Sequence, residues 1–207
     1  KIIRFSSFIN SNFQHFPIRA SEGIRTCFGY NAVAYTIFNI NSAGERYVSD
    51  IFGLHFSEER LNAYKEHFYQ YDPFVRTVQS SVQMVSTSNS RFVWHLNNLP
   101  SINIFYESEY WGHLSETGLR YQAVLSGPKY REYPSHVISI FKTTEEGDFT
   151  EEELDLLNLA GNIFNSNLVH YLKMEDDRLR FHALADLSHL QNSAVCIYYG
   201  ILPPYET

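Results

Sequence analysis

The side chains best suited to chemistry in this chain lie in an aromatic segment that runs into an Asp-Pro step. Residues 64–71 hold four aromatic side chains, and Asp72 and Pro73 follow directly. Because the residue before a proline avoids helical geometry, we expect one helix through this segment that stops at Tyr71 or Asp72. A single carboxylate beside aromatic rings suits a small, mostly apolar ligand that carries one hydrogen-bond donor. An ordinary helix end with a solvated Asp72 gives the same local pattern.

A binding pocket at this place would need further walls, and the chain is rich in suitable side chains. It contains 15 Tyr and 16 Phe in 207 residues, and tyrosine combines an apolar ring with a polar tip that suits an amphipathic pocket. Nine aromatic residues could line such a pocket: Tyr35, Tyr47, Tyr64, Phe68, Tyr71, Trp94, Phe105, Trp111 and Tyr121. Each of them could equally pack a sheet against its helices, so the aromatic content leaves both interpretations open.

Sequence motifs for catalysis and for metal binding are missing. The 9 His residues are scattered, and none forms the His-x3-His pair with an adjacent Glu that a zinc hydrolase needs. The chain also has no Gly-x-Ser-x-Gly elbow and no glycine-rich phosphate loop. We therefore expect no catalytic residue, no metal and no cofactor, and a protein that is not an enzyme.

Composition and charge exclude further classes. The net charge is −7, and phosphate contacts dominate binding to nucleic acid, so any contact with DNA must come from another segment. The two cysteines, Cys27 and Cys196, are too far apart for a disulfide scaffold and are expected to be reduced thiols. No stretch approaches 18 consecutive apolar residues and no signal-peptide pattern is present, so we expect a cytoplasmic protein without a membrane span.

The elements that would position these residues form an α+β pattern. Helices are expected over 6–28 with an interruption at Pro17, from the cap Ser57 to the Asp-Pro step, and over 108–116, and a short strand or turn is expected around 92–94. Two hairpins of β-branched and aromatic strands supply a central antiparallel sheet flanked by these helices. The strands are predicted at 32–38, 46–52, 120–126 and 136–143.

The C-terminal part of the chain is predicted to be one long helix. Thr150 and Glu153 have the spacing of a capping box. Leucines at helical spacing follow from Leu154 to Leu190, a stripe longer than one small sheet can cover. We expect its first half to pack on the sheet and the remainder to form a dimer seam. The homodimer is expected to be held mainly by the helices over 6–28 and 150–190. This divides the chain into a domain over 1–173 and a helix with a connector over 174–207.

In this order, the segments resemble the GAF/PAS-type sensor domains of LuxR-family transcriptional regulators, and are closest to their autoinducer-binding domain. The resemblance spans about residues 8–173 and is carried by five motifs in the right order. These are Asp72-Pro73-Phe74-Val75, the aromatic helix at 110–121 with its Gly118-Leu119 step, Gly127-Pro128, the strand at 137–141 with an inward Ser139, and the helix start at 149–157.

The resemblance implies a small-molecule sensor that takes part in quorum-sensing-type transcription regulation. It also implies a homodimer, with DNA bound only through a C-terminal domain that lies outside this chain. In the family, the Asp accepts a hydrogen bond from a ligand amide, and a Tyr and a Trp on the preceding helix hold the head group. Asp72 fits this pattern. No Trp precedes it on the helix, and Tyr64 stands one residue from the expected Tyr place, which argues against an acyl-homoserine lactone.

The sequence is therefore compatible with two functions. The first is a ligand sensor, with Asp72, Tyr64, Trp94, Trp111 and Ser139 facing one cavity. The full set of expected ligand contacts is Tyr35, Tyr64, Phe68, Asp72, Trp94, Trp111, Tyr121 and Ser139. The second is a ligand-free dimerisation or protein-interaction module, in which the aromatic side chains fill the core. A dry, filled interface between sheet and helices would favour the second function.

Overall fold

The computed structural model describes residues 1–10, 15–75, 93–96, 105–127 and 135–190, without the side chains of Trp94 and of residues 184–190. The chain divides into two compact units, Lys1–Tyr171 and Leu172–Thr207. Its elements in chain order are α1 (Ile2–Asn10), α2 (Phe16–Phe28), β1 (Ala32–Ile40), β2 (Arg46–Leu54), α3 (Glu58–Glu66), a 3-10 helix (Phe68–Tyr71), β3 (Val93–His95), α4 (Glu109–Ser115), β4 (Leu119–Ser126), β5 (Ser135–Thr143) and α5 (Glu151–Leu190).

The strands form one five-stranded antiparallel sheet in the order β2-β1-β5-β4-β3. The predicted α+β class and the four predicted strands are confirmed, and β3 adds a short fifth strand at the edge. The turn between β1 and β2 is set by Asn41, whose side-chain oxygen accepts from the backbone N–H groups of Ala43 at 3.0 Å and Glu45 at 2.9 Å. Gly44 supplies the positive φ of 80° that closes this turn.

The two faces of the sheet are covered by different helices. Directly paired residues point to the same face, so Ala34 and Ser139 share one face, and Tyr35 and Ile138 share the other. On the Tyr35 face, the ring of Tyr35 lies 6.0 Å from that of Phe164 in α5, which stacks on Phe16 of α2 at 5.9 Å. On the Ser139 face lie α3, the 3-10 helix and α4.

The structure describes two helices in the N-terminal region, α1 and α2, and the second begins beside Pro17. Pro17 stands in the first turn of α2, where its missing N–H disrupts no helical hydrogen bond. Gly29 ends α2 with a φ of 92°, as expected for a C-cap glycine, and its N–H donates to the carbonyl oxygen of Arg25 at 3.0 Å. The packing of α1 on α2 is close, because a Cβ at Gly23 would stand 2.9 Å from the ring of Phe5.

The aromatic segment before Asp72 is also not the single helix that the sequence predicts. Ser57 caps α3 as expected, accepting from the N–H of Arg60 at 3.3 Å. The α-helix ends at Glu66, and His67 leads into the 3-10 helix. Asp72 has left helical geometry, with φ −70° and ψ 115°. The proline constraint on Asp72 is therefore met, but the α-helix gives way to a 3-10 helix one turn before Asp72.

Helix α5 begins with the predicted capping box. The N–H of Thr150 donates to Glu153 Oε2 at 2.8 Å, and the N–H of Glu153 donates to Thr150 Oγ1 at 3.2 Å. Lys142 of β5 also donates to the Glu153 carboxylate at 3.1 and 3.2 Å, which fixes the helix start to the sheet. The residues of α5 that face the sheet are fully buried: Leu157, Ala160, Phe164 and Leu168.

Within the second unit, the helix carries exposed apolar side chains between ion pairs. Met174, Leu179 and Phe181 are exposed. Arg178 pairs with Glu175 at 2.8 Å, and Arg180 pairs with Asp176 at 3.0 Å. Leu187, the other expected seam residue, lies outside the described side chains. Over the part of the chain described, none of the helices combines the length and the apolar character needed to cross a membrane.

Candidate ligand-binding site

A cleft lies between the Ser139 face of the sheet and the layer formed by α3, the 3-10 helix and α4. It consists of two adjoining cavities of about 40 Å³ and about 10 Å³. Thr36, Tyr64 and Ser139 line both cavities and so mark where they meet. The first cavity has mainly apolar walls, formed by Ala34, Ile51, Phe56, Leu61, Leu114 and Phe141. The second is bounded by Phe38, Arg46, Asp72, Phe74, Val75 and Val137.

Asp72 is buried at the edge of the second cavity, with 2% of its surface exposed. Its Oδ1 accepts from the N–H of Phe74 at 2.8 Å, and its Oδ2 accepts from the hydroxyl of Tyr64 at 2.8 Å. Burial raises the pKa of this carboxyl to about 6, and the hydrogen bonds from Tyr64, Phe74 and Val75 limit the rise. Asp72 is therefore a carboxylate of fixed orientation that changes charge near neutral pH.

A second set of polar side chains surrounds the meeting point of the cavities. The hydroxyl of Tyr110 donates to Gln122 Oε1 at 3.2 Å, and Gln122 Nε2 donates to Ser139 Oγ at 3.4 Å. The rings of Tyr64 and Tyr110 are tilted at 5.7 Å. Burial, and then the charge of Asp72, raise the pKa of both tyrosines, so they remain neutral donors. Within the described chain, the Ser139 hydroxyl proton has no acceptor, so it can face the cavity.

The two cationic side chains of the cleft differ in their partners. Arg60 in the first cavity donates to the carbonyl oxygen of His113 at 3.1 Å and pairs with Glu116 at 3.5 Å. Burial and the neighbouring Arg60 lower the pKa of His113, whose ring stacks on Phe68 at 4.2 Å. Arg46 in the second cavity has its guanidinium carbon 5.8 Å from the ring centre of Phe38. Burial lowers the pKa of Arg46.

Three of the predicted site residues line the cleft together: Tyr64, Asp72 and Ser139. Phe68 and Trp111 pack partly buried against the core cluster next to it, and the Trp111 ring lies 5.3 Å from that of Phe105. They support the walls rather than form them. Trp94 lies in β3 opposite Val124, but its side chain is outside the described part of the structure.

Tyr35 and Tyr121 do not reach the cleft, because they lie on the other face of the sheet. Tyr35 is fully buried against α5, and its hydroxyl lies 2.9 Å from His136 Nδ1. Tyr121 pairs with Lys142, whose ammonium contacts Glu153 of α5. Strand residues alternate between faces, so a one-residue difference separates these tyrosines from the cleft side. Of the other candidate wall residues, Tyr47 and Tyr71 are exposed and Phe105 is buried in the core.

Sequence reasoning missed several cleft residues. Tyr110 and Gln122 form the buried polar network, and Thr36, Arg46 and Arg60 line the cavities. Two signals were available in the sequence. Gln122 is a polar residue inside an apolar strand, and Arg46 begins a strand whose alternate residue Val48 faces the core. The 3-10 geometry that brings Tyr64 to Asp72 has no such signal.

Neither a family model nor a curated protein matches this sequence. Solved structures do match its fold. The VqsR ligand-binding domain from Pseudomonas aeruginosa is 15% identical, with a TM-score of 0.59 over 83% of this chain and 94% of that chain. CepR2 from Burkholderia cenocepacia, an N-acylhomoserine lactone dependent LuxR-family transcription factor, is 17% identical, with a TM-score of 0.56 over 83% and 95%. Escherichia coli SdiA is 13% identical, with a TM-score of 0.57 over 94% and 85%.

The chain has the fold of a LuxR-type ligand-binding domain. This confirms the resemblance that its motifs indicate, at an identity where the likeness concerns the fold alone. SdiA has also been solved in complex with octanoyl-rac-glycerol, at 14% identity to this chain and a TM-score of 0.56. No group of three or more His, Cys, Asp or Glu side chains is arranged for a metal ion among the described residues of this LuxR-type fold.

Proposed function

We propose that this chain is the small-molecule sensor domain of a LuxR-type transcriptional regulator, and that it binds an amphipathic ligand in the cleft. The observation that carries this proposal is Asp72, a buried carboxylate held in one orientation at the edge of a cleft. Its oxygens accept hydrogen bonds from Tyr64, Phe74 and Val75. A carboxylate has about four lone-pair sites, so acceptor capacity remains for a ligand N–H or O–H. The fold is that of ligand-binding domains, and SdiA, which shares it, binds octanoyl-rac-glycerol.

The polar and apolar walls of the cleft match an amphipathic molecule. Tyr64 and Ser139 offer two hydroxyls where the cavities meet, and Asp72 offers an acceptor in the second cavity. The apolar walls of the first cavity would cover a hydrocarbon part. In this proposal the ligand separates α3 and the 3-10 helix from the sheet, because a cavity of about 40 Å³ holds little more than water.

The small cavity volume supports a second candidate, a ligand-free dimerisation module with a nearly filled core. Cavities of about 40 Å³ and about 10 Å³ are far below the few hundred Å³, roughly, of a typical ligand site. The two candidates differ in what the purified protein carries and binds. Native mass spectrometry of freshly purified protein should show a retained small molecule if the chain is a sensor, and bare protein if it is a filled module.

A binding experiment tests the role of Asp72 directly. With octanoyl-rac-glycerol as the probe, Asp72→Asn should weaken binding by about 1.5–3 kcal/mol, because the variant keeps the shape but removes the charged acceptor. Asp50→Asn makes the same change at an exposed strand residue and should leave binding unchanged. If Asp72→Asn bound a ligand retained by the wild type with equal affinity, Asp72 would not be its acceptor.

We also propose that the sensor is a homodimer and that DNA is contacted through a further C-terminal domain. The exposed Leu179 and Phe181 on α5 support the dimer, because apolar side chains exposed between ion pairs are suited to a helix–helix seam. The net charge of −7 supports the second part, since an acidic domain attracts no phosphate backbone.

A further inference from the structure

Of the two arginines that line the cleft, Arg46 is the one without an anionic partner among the described residues. It begins β2 opposite Ile40, and its side chain lines the second cavity together with Asp72, Tyr64 and Ser139. Arg60 in the neighbouring cavity has Glu116 and a backbone carbonyl as partners. The Arg46 side chain has no ion pair and no hydrogen bond within the described residues, and its guanidinium lies 5.8 Å from the centre of the Phe38 ring.

A partly buried guanidinium without an anion is unfavourable, because burying a charge costs free energy that only a partner repays. Arginine remains protonated at any physiological pH, so it cannot avoid this cost by losing its proton. Burial lowers the pKa of Arg46, with no carboxylate acting in the opposite direction. Asp72 lines the same cavity, yet the two side chains form no ion pair, since Asp72 is turned towards Tyr64 and Phe74.

The positions of the cleft residues then give an order of ligand groups. Arg46, Phe38 and Asp72 line the second cavity only, whereas Phe56, Leu61 and Phe141 line the first cavity only. Tyr64 lines both cavities and donates a hydrogen bond to Asp72. A molecule that spans both cavities meets a cation and a hydrogen-bond acceptor in the second cavity, then the Tyr64 and Ser139 hydroxyls, then an apolar wall. Its own groups must be complementary in the same order.

We propose that the ligand is an amphipathic carboxylic acid whose carboxylate pairs with Arg46. A hydrogen-bond donor next to that carboxylate faces Asp72, and the hydrocarbon part occupies the apolar first cavity. An N-acyl amino acid has these three groups in this order, with the amide N–H as the donor. A guanidinium can bind a carboxylate through two parallel N–H···O bonds, which selects the acid over neutral analogues of the same shape. This inference rests on the proposed sensor function and narrows its ligand class.

The test compares N-octanoylglycine with its methyl ester, a pair that shares the chain and the amide but differs in charge. By titration calorimetry on the full 207-residue chain, the acid should bind the wild type at least about tenfold more tightly than the ester. Arg46→Gln should bind the acid and the ester equally. Arg46→Lys should recover only part of the preference for the acid, because an ammonium group cannot form the two parallel hydrogen bonds of a guanidinium. Arg4→Gln removes an exposed arginine on α1 and should keep the full preference.

The outcomes separate this inference from the sensor function. Equal binding of acid and ester to the wild type would overturn the role of Arg46 and leave the sensor function standing. Binding of neither compound would overturn the proposed ligand class, while native mass spectrometry still decides whether a ligand is retained. A retained ligand whose mass identifies a compound without a carboxylate would also overturn the proposed ligand class. Because acid and ester are compared on the wild type, the inference remains testable even if Arg46→Gln fails to fold.

Discussion

Tyr64 and Asp72 are joined by a hydrogen bond of 2.8 Å that ties helix α3 to the residue after the 3-10 helix. The bond spans the break at His67, so it closes the aromatic segment into a compact loop over the sheet. Asp72 is held from its other oxygen by the N–H of Phe74. The carboxylate is thus oriented before any ligand arrives, which reduces the entropy that binding must overcome.

Tyr64→Phe should destabilise the protein by about 1.5–3 kcal/mol at pH 7.5, because a hydrogen bond to a charged acceptor is lost while the ring is retained. At pH 4.5 the loss should be smaller, since Asp72, with a pKa of about 6, is then mostly neutral. Urea unfolding at both pH values measures the difference. Tyr47→Phe is the matched control at an exposed tyrosine and should change little at either pH. Equal losses at both pH values would contradict the charge of Asp72 as the cause.

Asp72 should make the folded protein less stable as pH rises. Its pKa is raised in the folded state, so between about 4 and about 6 the folded protein binds more protons than the unfolded chain. This contribution to stability is complete below the unfolded pKa and is lost as pH rises through about 6. In Asp72→Asn the side chain at this position does not titrate, so this pH dependence is absent. Its stability relative to wild type should therefore improve by about 1–3 kcal/mol between pH 4 and pH 7.

Urea titrations of the two proteins at pH 4.5, 5.5, 6.5 and 7.5 give this difference directly. Asp50→Asn should run parallel to the wild type, because Asp50 is exposed. A difference between wild type and Asp72→Asn that is independent of pH, or that changes in the opposite direction, would mean that the Asp72 pKa is not raised.

The sheet and the helix ends could be predicted from sequence because their causes are local. The strands at 32–38 and 136–143 are long β-branched runs beside turn residues, and the Thr150 capping box depends on residues three positions apart. The break at Glu66 could not be predicted in this way. The segment from Ser57 to Tyr71 contains no glycine and no proline that would mark a break. The 3-10 helix packs against α4, a contact between segments distant in sequence.

The candidate site could be predicted only in part, because the sequence does not say which face of the sheet it occupies. β1 is buried on both faces, so its residues do not alternate between apolar and polar. Tyr35 was therefore indistinguishable from a cleft residue, while its neighbour Thr36 is the one that lines both cavities. Asp72 was identifiable because the Asp-Pro step marks a chain position that does not depend on the face of the sheet.

Gly53→Ala should reduce the size of the first cavity with little effect on stability. A Cβ at Gly53 would stand 2.7 Å from Leu61 Cδ2, the end of a flexible side chain that lines the cavity. Leu61 must shift, and the Phe56 ring, 3.1 Å from the added Cβ, must move slightly, while the strand backbone accepts alanine without a positive φ. Octanoyl-rac-glycerol or N-octanoylglycine should bind at least about threefold more weakly, a change of roughly 0.7 kcal/mol.

The matched control for this change is Gly112→Ala in α4, where an added Cβ meets nothing within 4 Å. It should stabilise the protein by about 0.5–1 kcal/mol through helix propensity and leave ligand binding unchanged. If Gly53→Ala bound both compounds as tightly as the wild type, the first cavity would not be where the hydrocarbon part lies.

The α5 stripe should hold a homodimer together. Leu179 and Phe181 are exposed apolar residues within the second unit, so replacing both with Glu puts charge into a seam without touching the sheet core. Sedimentation velocity should then show a monomer where the wild type is a dimer, with an unchanged circular dichroism spectrum. Ile40→Glu places the same charge at an exposed apolar residue of β1 and should leave the dimer intact. A wild-type monomer at tens of micromolar would contradict the seam.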